Sequence, residues 1–118
     1  MSGISSDVIR GYNDTIILCL LRNEPSYGYE ISRRIRMLSD EKYIIKETTL
    51  YSAFTRMEKN GYIESFSQTA ENGKRRTYYR ITEQGRGYYE EKCSEWLLTK
   101  EVIDRFVEAE DFLLEEAE

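Results

Sequence analysis

Between Lys46 and Ile81 the spacing of apolar residues changes once, from three and four to two, and that change narrows the folds open to the chain. Leu50, Ala53, Phe54 and Met57 form one stripe of a helix that begins near Lys46 to Thr48. Asn60-Gly61 ends it, because glycine readily takes the left-handed conformation that closes a helix. From Tyr62 the pattern alternates, with Ile63, Ser65 and Ser67 against Glu64, Phe66 and Gln68, until AENGK turns the chain at Asn72-Gly73. The return strand, Arg75 to Ile81, sets Arg76, Tyr78 and Arg80 on one face and Arg75, Thr77, Tyr79 and Ile81 on the other.

The flanking segments are helical in pattern. Ile4, Val8, Ile9, Tyr12, Ile16, Ile17, Leu20 and Leu21 recur at helical spacing, which predicts a first helix from about Ser6 to Arg22. Its apolar arc, widened by Leu18 and Cys19, is broader than one small domain needs, so a second contact surface is expected. Pro25, the single proline, marks a short connection. Ser26 is the expected N-cap of a second helix with Tyr27, Ile31, Ile35 and Leu38 on one face. Gly28 lies early in that helix at a propensity penalty of about 1 kcal/mol, which a close approach by another helix would explain. Ser39-Asp40-Glu41 reads as a turn and Tyr43 to Ile45 as a brief extended segment.

After the hairpin, Thr82 can cap a last helix whose apolar positions run from Tyr89 through Trp96, Leu97, Ile103, Phe106 and Val107 to Leu113, Leu114 and Ala117. Such a helix would measure about 50 Å at 1.5 Å per residue, longer than a core of this size can cover. Packing against a second copy is the expected remedy. At 118 residues the chain suits one domain, with one region over 1–81 and a dimerisation helix over 82–118.

The net charge of -5 conceals an asymmetry. Residues 1–45 hold six basic and six acidic side chains, residues 46–81 seven and four, and residues 82–118 four and twelve. Positive charge is thus concentrated on the helix and hairpin, where a polyanion could meet it, and acid in the tail. No apolar run reaches the ~18 to 20 residues of a membrane span, and MSGISSDVIR lacks the parts of a signal peptide, so a cytoplasmic protein with no membrane association is expected. Cys19 and Cys93 each fall inside a helix and are expected to be buried free thiols. With no histidine, neither a His-containing triad nor a His metal site can form, and Gly85-Arg86-Gly87 lacks the context of a nucleotide loop. No catalytic residue, metal or cofactor is expected.

Three helices, a two-stranded wing and a further helix make a mainly α fold with a small β wing, a winged helix-turn-helix with a long C-terminal dimerisation helix. At four places the residues resemble the PadR-like transcriptional regulators, most closely the short-tailed branch: IRGYNDTIILCLL, SYGYEI, TLYSAFTRMEKNGYIE and RRTYYRITEQG. The stretches lie in the family's order across roughly residues 8–90. The resemblance implies a homodimer joined through its first and last helices, binding a pseudo-palindromic operator in double-stranded DNA, usually as a repressor relieved by a small molecule. The sequence departs from the family where KETT replaces a Ser-Pro-Gly-Thr-like entry to the third helix, so base preference does not carry over.

Matched to the family, Leu50 anchors in the core while Thr49 and Tyr51 face DNA. Helical geometry adds Lys46, Thr48, Ser52 and Arg56, and the wing adds Lys74, Arg75 and Arg76 as phosphate contacts. An ordinary solvated helix face is the plainer reading of Arg56 and Lys59, and protection of a sheet edge that of the basic wing. Tyr78 and Tyr79 read as core and rim residues beside a stacking role. In some multidrug-sensing relatives an aromatic at the dimer centre stacks on flat ligands, which makes Trp96, with Tyr12 and Phe106, a candidate pocket for a small aromatic effector; dimer-core packing is the alternative. A winged-helix module that binds an acidic protein partner instead of DNA is the competing function.

Overall fold

The computed structural model describes residues 3–108. Its elements are α1 (Ser6–Ile9), a 3-10 turn (Arg10–Tyr12), α2 (Asn13–Leu21), β1 (Ser26–Tyr27), α3 (Gly28–Leu38), α4 (Glu47–Lys59), β2 (Ile63–Thr69), β3 (Arg75–Ile81) and α5 (Glu83–Glu108). The expected fold class is borne out: a mainly helical winged helix-turn-helix with a small sheet and a long C-terminal helix. The part of the last helix expected over Leu113 to Ala117 lies outside the described residues.

The core gathers one stripe from each element. Ile17, Leu18 and Leu21 of α2, Ile31 and Ile35 of α3, and Leu50, Ala53, Phe54 and Met57 of α4 meet Ile63, Tyr79 and Ile81 from the sheet. The inward stripe of α4 is the one its periodicity predicts. Tyr79 stacks on Phe54 with ring centroids 4.0 Å apart, so β3 is fastened to α4 through the core. Gly61, at φ +84°, closes α4 in the left-handed conformation as expected.

Several local expectations give way. The first helix is broken: α1 and α2 are separated by the 3-10 turn at Arg10-Gly11-Tyr12, where glycine weakens helical continuity. Ser26 does not cap a helix. Ser26 and Tyr27 pair with Tyr79 and Tyr78 as a short strand, giving a three-stranded antiparallel sheet in the order β1-β3-β2, and Tyr27 takes the cap position of α3. The polar backbone of a buried Ser26 is better satisfied in a ladder than at a helix end. Leu38, expected inward, ends α3 at 71 % exposed. Tyr43 to Ile45 forms no strand, although Ile45 is buried. Cys19 and Cys93 are free but half-buried, flanking the Tyr89 hydroxyl; hydrogen bonding to Cys93, burial and Cys19 together raise the pKa of that phenol.

Thr82 joins the wing to α5. Its hydroxyl donates to Gly61 O at 2.6 Å and accepts from Gly85 N at 2.9 Å, while its own N–H donates to Tyr62 O at 3.1 Å. The expected cap therefore also ties α5 to the end of α4.

Candidate nucleic-acid interface

The residues opposite the buried stripe of α4 form one exposed surface. Lys46, Thr48, Tyr51, Ser52 and Arg56 are exposed and Thr49 is half-buried. Thr48, Tyr51, Ser52, Thr55, Arg56 and Lys59 line an open depression of about 600 Å³ along this helix. Lys46, the N-cap residue, gives no side-chain cap. The first-turn N–H groups of α4 are thus left to other acceptors, for which a phosphate oxygen is well suited. Thr55 is exposed too, but its hydroxyl is occupied within the helix, donating to Tyr51 O at 3.0 Å.

Tyr51 owes its orientation to α3. A β-carbon at Gly28 would collide with the Tyr51 hydroxyl and ring, so the glycine admits this side chain, which also rests edge-on against Phe54 at 5.4 Å. The close approach expected at Gly28 is therefore made by the tyrosine that the resemblance assigns to DNA. Arg56 is tied as well: its guanidinium pairs with Asp14 of α2.

The wing separates its basic residues by task. The hairpin closes through Ala70 N to Lys74 O at 2.7 Å, Gly73 N to Ala70 O at 2.9 Å and Lys74 N to the Asn72 side chain at 3.0 Å. Lys74 and Arg75 are exposed at the tip. Arg76 is half-buried, its guanidinium 4.3 Å from the Tyr27 ring centroid. Arg80 lies across Phe66 at 4.4 Å and donates to Glu64 at 2.8 Å, which commits it to the sheet. Tyr78 packs between Tyr27 and Phe66, so both wing tyrosines serve the fold. Among the described residues Lys46, Lys59, Lys74, Arg75 and Arg76 form no ion pair, leaving their charge uncompensated beside α4.

Sequence reasoning missed Arg10 and Lys42. Arg10 shares a recess of about 230 Å³ with Thr48, Thr49, Ser52 and Arg56, and both basic residues line a larger one of about 650 Å³ with Lys46. Arg10 sits in the 3-10 turn between α1 and α2 and also pairs with Asp7 at 3.0 Å.

Of the candidate effector residues, the structure brings Tyr12 and Trp96 together, edge to face at 5.2 Å. Phe106 lies about 15 Å farther along α5 at 1.5 Å per residue, so a single chain does not add it to that pair. Trp96, Leu97, Leu98, Val102, Ile103, Phe106 and Val107 of α5, with Ile4 and Val8 near the N-terminus, are exposed apolar side chains. Among the described residues no helix is long and apolar enough to cross a membrane, and no cluster of His, Cys, Asp and Glu could hold a metal ion.

Residues 17–91 match the model of the transcriptional regulator PadR-like family. A transcriptional regulator from Clostridium thermocellum is 66 % identical, with 88 % of this chain and 98 % of that one superposed at a TM-score of 0.81. A PadR family transcription regulator from Clostridium difficile is 35 % identical, covering 81 % and 98 % of the two chains at a TM-score of 0.72. An uncharacterised protein from Lysinibacillus sphaericus is 45 % identical over 105 residues, 89 % of this chain and 96 % of that one. With the winged fold and its outward basic helix, these matches place the chain in the PadR-like family of transcriptional regulators.

Proposed function

We propose that the chain is a cytoplasmic, homodimeric repressor that binds a pseudo-palindromic operator, with α4 in the major groove and the β2–β3 wing on the flanking backbone. One observation carries this reading: a helix face of hydroxyls, Tyr51, Arg56 and Lys59 is followed by a wing whose tip charges form no ion pair among the described residues. On this reading Arg56 contacts a base edge, Thr48, Thr49, Tyr51 and Ser52 position the helix on base edges and phosphates, and Lys46, Lys74, Arg75 and Arg76 grip phosphate.

Residues 1–81 supply the DNA-binding unit and residues 82–118 the dimer contact. The exposed apolar side chains of α5, together with Ile4 and Val8, support the association, because contiguous apolar surface of this kind is stabilised by a partner. A two-fold dimer would place its recognition helices in successive major grooves, about 34 to 36 Å apart. At the dimer centre the Tyr12–Trp96 pair is the proposed seat of a flat aromatic effector, with Phe106 contributed from the other protomer.

A gel shift on DNA upstream of the protein's own gene tests the reading. A sequence-selective band that weakens steeply with salt is expected. Absence of such a band, with capture of an acidic protein by the same face, would favour the protein-binding alternative.

A further inference from the structure

Asp14 opens α2 with a side chain only 13 % exposed. Its Oδ1 accepts from Nη2 of Arg56 on α4, and its Oδ2 accepts from the Tyr88 hydroxyl of α5 at 3.2 Å. One carboxylate thereby joins three helices that are remote in sequence. Tyr88 is held in turn: its ring lies parallel to Tyr62 at 4.0 Å, with Lys92 Nζ 5.9 Å from its centroid. Burial and the Asp14 carboxylate raise the pKa of the Tyr88 phenol, so it remains a donor across the physiological range.

The Arg56 side chain is 53 % exposed, and the guanidinium uses one nitrogen on Asp14. Its other donors remain for a base edge. An arginine already oriented by an acid loses less side-chain freedom when it makes that contact than one that must be ordered on arrival. Asp14 cannot follow the guanidinium outward, because it is largely buried and fastened to Tyr88.

Resting on the DNA-binding reading above, we propose that Asp14 is a positioning residue for sequence recognition: it fixes the orientation from which Arg56 reads a base, and Tyr88 fixes Asp14 from α5. The opposing idea, that Asp14 merely repels DNA, makes a different prediction. Removing its charge would then tighten binding to every duplex alike.

The test uses the full-length protein and a duplex that wild type enriches from a random-sequence pool, with a scrambled duplex of equal length as reference. The ratio of the two affinities is measured for wild type, Asp14→Asn, Tyr88→Phe, Arg56→Ala and the Asp14→Asn/Arg56→Ala double variant. Asp14→Asn should lower the ratio about tenfold, as expected for one charge-assisted hydrogen bond, with binding to scrambled DNA unchanged or tighter. Tyr88→Phe should lower it about two- to fivefold, and Asp14→Asn should have no further effect once Arg56 is alanine. Tyr88→Phe keeps the stacked ring and carries the test if Asp14→Asn does not fold. An unchanged ratio in the folded variants, equal tightening on both duplexes, or additive effects in the double variant each overturn the proposal while leaving DNA binding intact. A wild type that enriches no sequence overturns the DNA-binding reading and this inference with it.

Discussion

Ile103→Ala is the perturbation whose effect on association follows most directly from the structure. Ile103 is 53 % exposed on α5, about two helical turns after Trp96, one turn before Val107, and away from Arg105. Fully burying an isoleucine side chain stabilises by about 1.5 to 3 kcal/mol, so covering the exposed half is worth about 0.8 to 1.6 kcal/mol per protomer. A two-fold interface uses the same residue twice, which gives about 1.6 to 3.2 kcal/mol for the dimer. At 1.4 kcal/mol per decade, the dimer dissociation constant should rise roughly 15- to 200-fold. Sedimentation velocity across a concentration series measures this. Arg105→Ala is the control: its ion pair with Glu101 is solvent-exposed, and exposed pairs contribute about 0 to 1 kcal/mol. Were Ile103→Ala and Arg105→Ala to self-associate as wild type does, α5 could not be the dimer seam and the placement of two α4 helices one groove apart would lose its basis.

The other expectations concern DNA and stability. Replacing Arg75 and Arg76 by Ala should weaken binding to all sequences and reduce the slope of log affinity against log salt by about 4 for the dimer, two contacts from each protomer, read from titrations at several salt concentrations. Gly28→Ala should leave stability within about 1 kcal/mol, since the helix-propensity gain offsets an off-rotamer Tyr51, yet reduce operator affinity severalfold; thermal melts and gel shifts on one preparation separate the two effects. Thr82→Ala should lower unfolding free energy by about 1 to 2 kcal/mol in denaturant titrations, through loss of the cap and of the bond to Gly61. Burial raises the phenol pKa values of Tyr43, Tyr79 and Tyr88 above their ordinary 10.0. Above pH 10 the unfolded chain releases these protons before the folded one, so the contribution of the three phenols should be flat below that pH and stability should fall as pH rises past it; chemical melts from pH 9 to 11 check the sign.

What could be read from the residues was whatever repeats within one element. Leu50, Ala53, Phe54 and Met57 announce the buried side of α4, and the opposite face follows by rotation. Gly61 and Thr82 mark the ends of two helices by their own chemistry. The two-residue strand Ser26–Tyr27 was invisible because pairing with Tyr78 and Tyr79 has no local period. The break at Gly11 was hidden by apolar spacing that continues across it. Arg56 could be assigned to an outward face, but its bond to Asp14 depends on how α2 and α4 cross, and the fit of Tyr51 over Gly28 on how α3 meets α4. Long-range polar partners are set by packing, and packing is not periodic.

The junction at Thr82 gives the wing the mechanics of a lever. β3 passes into α5 through one residue pinned by three hydrogen bonds, with no slack between strand and helix. A seven-residue strand extends about 23 Å at 3.3 Å per residue. Tilting it by about 5° at the junction would displace the hairpin tip by about 2 Å, enough to separate Lys74 and Arg75 from a phosphate at hydrogen-bonding distance. If the wing binds DNA as proposed, a small rotation of α5 that β3 followed would loosen the hold of its tip on phosphate.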